Sequence, residues 1–133
     1  LWQMKNRQMR ILVRKCFPDN PGNPARVDMT SGTIEINKEM FSILPDYTQR
    51  FILYHEAAHY VLKTYDECKA DDYALKRMAF KQAYSLKHHI DSVYMLARDD
   101  VRRKRHALLS VLTLAAANGS EEALNLINKY RNG

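Results

Sequence analysis

Between residues 47 and 63 the chain runs without a Gly or a Pro, and its apolar residues recur at helical spacing. Phe51, Tyr54 with His55, Ala58 with His59, and Leu62 fall three or four residues apart and therefore share one face. Pro45 closes the segment before it. Asp46 stands where an N-cap belongs, and Gln49 follows at the distance of a capping box. These signals predict a helix over 47–63. Such a helix constrains the rest of the fold, because it buries its apolar face only against other elements.

Within that helix, residues 55–59 read His-Glu-Ala-Ala-His. Positions i and i+4 of a helix lie on one face with Cβ atoms about 5–6 Å apart. The imidazoles of His55 and His59 can thus converge on one ion, which suits Zn2+ with its nitrogen ligands at about 2.0–2.1 Å. Glu56 points to an adjacent face, where it is placed to take a proton from a water on that ion. Ala57 and Ala58 are small and let other backbone approach. The plain alternative is a helix whose two histidines are solvated or satisfied in a core, so a third ligand is the deciding feature.

Downstream, Glu67 and Asp71 are again i and i+4 in a segment of helical character. A short turn over 63–66 would fold this second helix back on the first. Glu67 then becomes the third metal ligand, and Asp71 accepts a hydrogen bond from a ligand imidazole. As an isolated pair the two acids would read as the acidic first turn of a helix. Cys68, beside Glu67, raises the question of thiolate ligation, but a small half-buried residue is the simpler reading. Iron, cobalt or manganese would also be accepted by two histidines and a glutamate.

The stretches Gly32-Thr33-Ile34-Glu35-Ile36-Asn37, Gln49-Arg50-Phe51-x-Leu53-x-His55-Glu56-x-Ala58-His59-x-x-Leu62 and Glu67-x-x-Ala70-Asp71-x-Tyr73-Ala74 resemble the ImmA/IrrE-type zinc metallopeptidases. The Glu-x-x-x-Asp spacing is also similar to that of the broader gluzincins, including compact minigluzincins. The resemblance spans roughly residues 34–75. It implies that His55, His59 and Glu67 are the metal ligands and Glu56 the catalytic base. It further implies a protein substrate, such as a DNA-binding regulator of a mobile element or phage. The chain departs from the family pattern after the second helix, where Lys76-Arg77-Met78-Ala79-Phe80-Lys81 replaces an apolar run. No spacing rule selects an oxyanion-stabilising residue among Tyr73, Tyr84, His88, His89 and Tyr94.

A length of 133 residues and 15.6 kDa points to one domain over 1–133, with a site core at about 34–75 and a helical extension at about 86–133. Two cysteines, Cys16 and Cys68, make no framework and point to a reducing, cytoplasmic compartment. There is no apolar stretch of membrane-spanning length and no signal-peptide core in residues 1–5. A start on Leu1 rather than Met points to processing or to residues upstream. The net charge of +6 concentrates in Lys5, Arg7, Arg10, Arg14 and Lys15, and again in Arg98 and Arg102-Arg103-Lys104-Arg105. Such runs either bind nucleic acid or an acidic partner, or form a solvated helix face with Asp99 and Asp100 as N-terminal acids.

Residues 8–16 read as a strand or a short helix, and 17–24 as a loop holding three of the four prolines. Residues 27–37 read as a hairpin turning at Thr30-Ser31-Gly32, with an edge strand that could hold an extended peptide beside the metal. Residues 107–117 are almost wholly apolar and read as buried. Ser120 caps a last helix that carries Glu121 and Glu122 in its first turn. The expected class is α+β: a small N-terminal antiparallel sheet on a helical body that carries the zinc helix, with further C-terminal helices. The expected function is a zinc-dependent metallopeptidase with Glu56 as general base. The competing expectation is a non-catalytic binding module that uses its basic helices on nucleic acid or a larger assembly.

Overall fold

In the computed structural model, which describes residues 2–4, 7–79 and 85–132, short strands lead into a helical body. Strands β1 (Trp2–Met4) and β2 (Arg7–Met9) pair antiparallel. Strands β3 (Ile11–Arg14), β4 (Ala25–Val27) and β5 (Ile34–Asn37) form a second sheet in the order β3-β5-β4. The pairing of β4 with β5 is antiparallel, as expected of a hairpin, but β3 runs parallel to β5 with Ile11 opposite Ile34. The sheet is therefore mixed rather than antiparallel throughout. The reason lies in the Pro-rich loop over 15–24, which crosses the end of β5 instead of turning tightly. Phe17 in that loop is fully buried beneath the Arg26 guanidinium.

Asn37 fixes the crossing. Its buried side-chain amide donates to the carbonyls of Pro21 (3.1 Å) and Asn23 (3.0 Å), and its oxygen caps the short helix α1 (Lys38–Phe41). The hairpin turn is held by Asp28, whose carboxylate accepts from the Thr30 and Ser31 amides. Gly32 sits at φ +78°, and a Cβ there would come within 2.8 Å of the Tyr60 ring on the long helix. No other residue type meets both demands.

That long helix, α2 (Asp46–Leu62), forms where the sequence predicts it, but its entry differs. Pro45 is the N-cap residue and no side chain caps the helix. Asp46 pairs with Arg50 instead, and the Gln49 amide donates to the carbonyls of Phe41 and Leu44. Gln49 thus finishes the preceding turn rather than boxing its own helix. Lys63 in the left-handed region ends α2, and the Asp66 carboxylate caps α3 (Glu67–Met78) by accepting from Cys68 and Lys69. The turn of 63–66 accordingly folds α3 back on α2.

Helices α4 (Leu86–Ala97), α5 (Val101–Ala117) and α6 (Glu121–Asn132) complete the body. Ser85 and Asp100 cap the first two, and Ser120 accepts from the Ala123 amide as expected. Helix α4 packs on α2, and α5 packs on α3. The apolar run 107–117 is not buried as a whole. Ala107 and Val111 are, in line with Arg103 at four-residue spacing, while Leu109 and Ala117 are exposed. One stripe of α5 is fully buried, and Leu108, Leu112 and Leu114 are half-buried. No helix among the described residues is long and apolar enough to cross a membrane.

The core over which the site rests joins Ala25, Phe51, Ile52, Ala74, Met78, Val93, Ala97 and Ala107. Phe51 lies at its centre with no exposed surface. Truncation to Ala leaves a cavity between four elements, so Phe51→Ala is expected to cost about 3–5 kcal/mol, read as a shift in urea unfolding free energy.

Candidate metal centre

Helix α2 presents His55 and His59 from successive turns, and both rings are almost wholly buried. Their Nε2 atoms face each other at 3.1 Å. Glu67, the first residue of α3, brings Oε1 to 2.8 Å from His59 Nε2 and 3.4 Å from His55 Nε2. Ligand atoms of the three residues all lie within 4.8 Å of one another. Cys68, also buried, is not part of this cluster, and burial pushes its thiol up, away from thiolate.

The far side of each ring fixes its tautomer. His59 Nδ1 lies 2.8 Å from the Thr64 carbonyl, which has no proton to give, so Nδ1 donates. His55 Nδ1 lies 2.8 Å from Asp71 Oδ1, an acid held ionised by the Arg103 guanidinium. With both rings neutral, each Nε2 would turn a lone pair toward the other and toward a carboxylate oxygen. Three electron-rich atoms at these distances repel unless something positive lies among them. A proton can serve one contact, whereas a divalent cation serves all three. The donor set of two imidazoles and one carboxylate fits zinc.

Arg103, from α5, closes the back of the site. Its Nε donates to Asp71 Oδ2 at 2.7 Å and its Nη2 to Asp71 Oδ1 at 2.8 Å, while Nη1 reaches Glu67 Oε2 at 3.4 Å. By sequence Arg103 belongs to a basic run that either binds nucleic acid or an acidic partner or forms a solvated helix face. The structure buries it to 6 % exposure, while Arg102 and Arg105 stay in solvent and Lys104 lies over the Tyr94 ring. The signal that could have found it is the stripe Arg103, Ala107, Val111, which sets one basic residue on the apolar face of α5.

The acids of the site are pushed in opposite directions. Hydrogen bonds from His55 and His59 hold the Glu67 carboxyl well below its ordinary range, against the effect of burial. Burial would raise Asp71, but the bonds from Arg103 and His55 outweigh it and keep the acid ionised. Glu56 goes the other way: burial raises its pKa, opposed by the neighbouring imidazoles. Among these acids, Glu56 is the one whose proton affinity moves toward neutrality, as general acid–base work requires.

Two clefts meet at Glu56 and Glu67. One, of about 380 Å³, runs past His55 toward Met40, Leu44, Ile52 and Leu96. The other, of about 280 Å³, runs past His59 between Val27, Met29 and Tyr65. Ala25 of β4 borders both, and β4 has no strand partner on its outer side among the described residues. Arg98, at the end of α4, lines the first cleft and donates to the Gly22 carbonyl, tying the helix end to the Pro-rich loop.

The described residues among those considered for oxyanion stabilisation line neither cleft. Tyr73 is buried in α3 under Arg77, and His88 stacks on Tyr47 while accepting from the Ser85 amide. His89 is buried edge-on to Phe51, where desolvation pushes its pKa down to about 4. Tyr94 is on the outer face of α4 beneath Lys104, and Tyr84 lies outside the described residues. Tyr65, in the turn between α2 and α3, is a lining residue of the second cleft that the sequence does not single out.

No protein-family model, curated protein or solved structure matches this chain. Its resemblance to the ImmA/IrrE-type peptidases rests on the motif residues themselves.

In metal-free protein, burial works to lower the His55 pKa, but hydrogen bonds to Asp71 and Glu67 outweigh it and lift it from 6.5 to about 9. A raised imidazole pKa stabilises the fold fully below 6.5 and loses that contribution as pH climbs through 9. Chelator-treated wild type is therefore expected to lose about 1–3 kcal/mol between these limits relative to His55→Gln, measured by urea unfolding at each pH.

Proposed function

We propose that this chain is a zinc-dependent peptidase whose ion is held by His55, His59 and Glu67 and whose general base is Glu56. The observation behind this reading is the convergence of two imidazole Nε2 atoms and a carboxylate oxygen, each ring held from behind by an acceptor. When bound, the ion supplies Lewis acidity toward a peptide carbonyl and a water.

The remaining chemistry belongs to the chain. Glu56 stands where the two clefts meet, so it reaches the attacking water and, after attack, the departing amine. Its burial-raised pKa suits both receiving the proton and giving it up. The outer edge of β4 offers backbone donors and acceptors along both clefts, so an extended peptide laid there adds a strand and seats its side chains to either side. Tyr65 lines this path, and we assign its hydroxyl the role of steadying the carbonyl oxygen as charge develops. Unpaired Cys16 and Cys68 fit a reducing compartment. A DNA-binding regulator with an exposed cleavable segment, the substrate implied by the family resemblance, is the first protein to offer.

The competing reading, nucleic-acid binding by the basic helices, has less support. Arg103 is consumed inside the site and Lys104 covers Tyr94, which breaks the run into separate cations. The N-terminal run is likewise reduced, since Arg14 pairs with Glu35.

Glu56→Gln is expected to retain one zinc per chain while peptide hydrolysis falls by about 10²–10⁴-fold. His59→Ala is expected to lose the metal altogether. Elemental analysis paired with a fluorogenic peptide assay reads both, and undiminished turnover by Glu56→Gln removes Glu56 from the mechanism.

A further inference from the structure

Glu67 meets the two histidines with one oxygen only. Oε1 faces both Nε2 atoms, and Oε2 turns away to accept from Arg103 Nη1 at 3.4 Å. The same guanidinium grips Asp71 through Nε and Nη2, and Asp71 in turn orients His55. A guanidinium is a rigid plane of five donors, so its hold on one acid fixes where it holds the other. Arg103 thus sets the spacing between a ligand carboxylate on the first turn of α3 and the acid one turn later that aligns a ligand ring.

A carboxylate with both oxygens free can bind a cation through one or through both. Resting on the metal-site reading above, we propose that Arg103 is a positioning residue that reserves Oε2 of Glu67. It thereby restricts Glu67 to one ligating oxygen and leaves a coordination position for water or the substrate carbonyl. Arg103 is only 6 % exposed, which limits its freedom to leave these acids for solvent. Lysine would bring the charge without the fork and could not hold both acids in one plane.

Cobalt(II) reports the number of ligands through its visible absorption and serves as the probe. Arg103→Met removes the donors and keeps an apolar stem, whereas Arg103→Lys keeps the charge. Both are checked by circular dichroism and thermal melting. Wild type is expected to take up one cobalt. Arg103→Met is expected to bind about 10–100-fold more weakly, with a weaker visible band as Glu67 adds its second oxygen. Arg103→Lys is expected to regain part of the affinity but not the wild-type spectrum. A merely structural role would lower the melting temperature and leave the cobalt spectrum unmoved. Wild-type affinity and spectrum in Arg103→Met overturn the proposal while leaving the metal site standing; if that variant does not fold, the same result in Arg103→Lys overturns it. Failure of the wild type to bind cobalt or zinc overturns the metal-site reading, and this proposal with it.

Discussion

Asp71 carries its charge with no contact with solvent, and three helices are arranged around that fact. A buried carboxylate left alone costs several kcal/mol, so it persists only where partners from the rest of the fold meet it. His55 comes to it from α2 and Arg103 from α5, while Asp71 itself stands on α3. Removing either partner strands the charge. The network therefore makes α5 part of the candidate site, and it orients the His55 ring.

From this anchor the remaining parts follow. The left-handed Lys63 and the Asp66 cap let α3 begin where Glu67 can face His59 across the turn. Asn37 pins the Pro-rich loop so that Asn23 and Ala25 border both clefts, and Gly32 lets the hairpin press against Tyr60. Three acids then sit within one small region under different influences. Glu67 and Asp71 are held ionised by direct hydrogen bonds, while Glu56, next to the same histidines, is governed by desolvation. Which acid is held ionised is set by which has a donor aimed at it.

Much of this was legible along the chain, because it is local. Helical spacing placed His55, His59, Glu67 and Asp71, and the caps at Asp100 and Ser120 are short-range features. The α+β class follows from the same patterning. What escaped is what depends on tertiary packing. Arg103 is read as a surface residue by composition, and only the folding of α5 on α3 brings it to an acid 32 residues away. The parallel pairing of β3 depends on a loop path set by one buried Asn. Gln49 has the right spacing for a capping box, yet nearby carbonyls of Phe41 and Leu44 claim its amide. The run 107–117 is apolar enough to be buried, but only Ala107 and Val111 are fully so, while Leu109 and Ala117 reach solvent.

Anomalous diffraction at the zinc edge, from crystals of the protein grown with zinc and without chelator, tests the central claim most directly. The account predicts a single peak at about 2.0–2.2 Å from His55 Nε2, His59 Nε2 and one oxygen of Glu67. Empty density among those three atoms, or a peak held by other side chains, would contradict it.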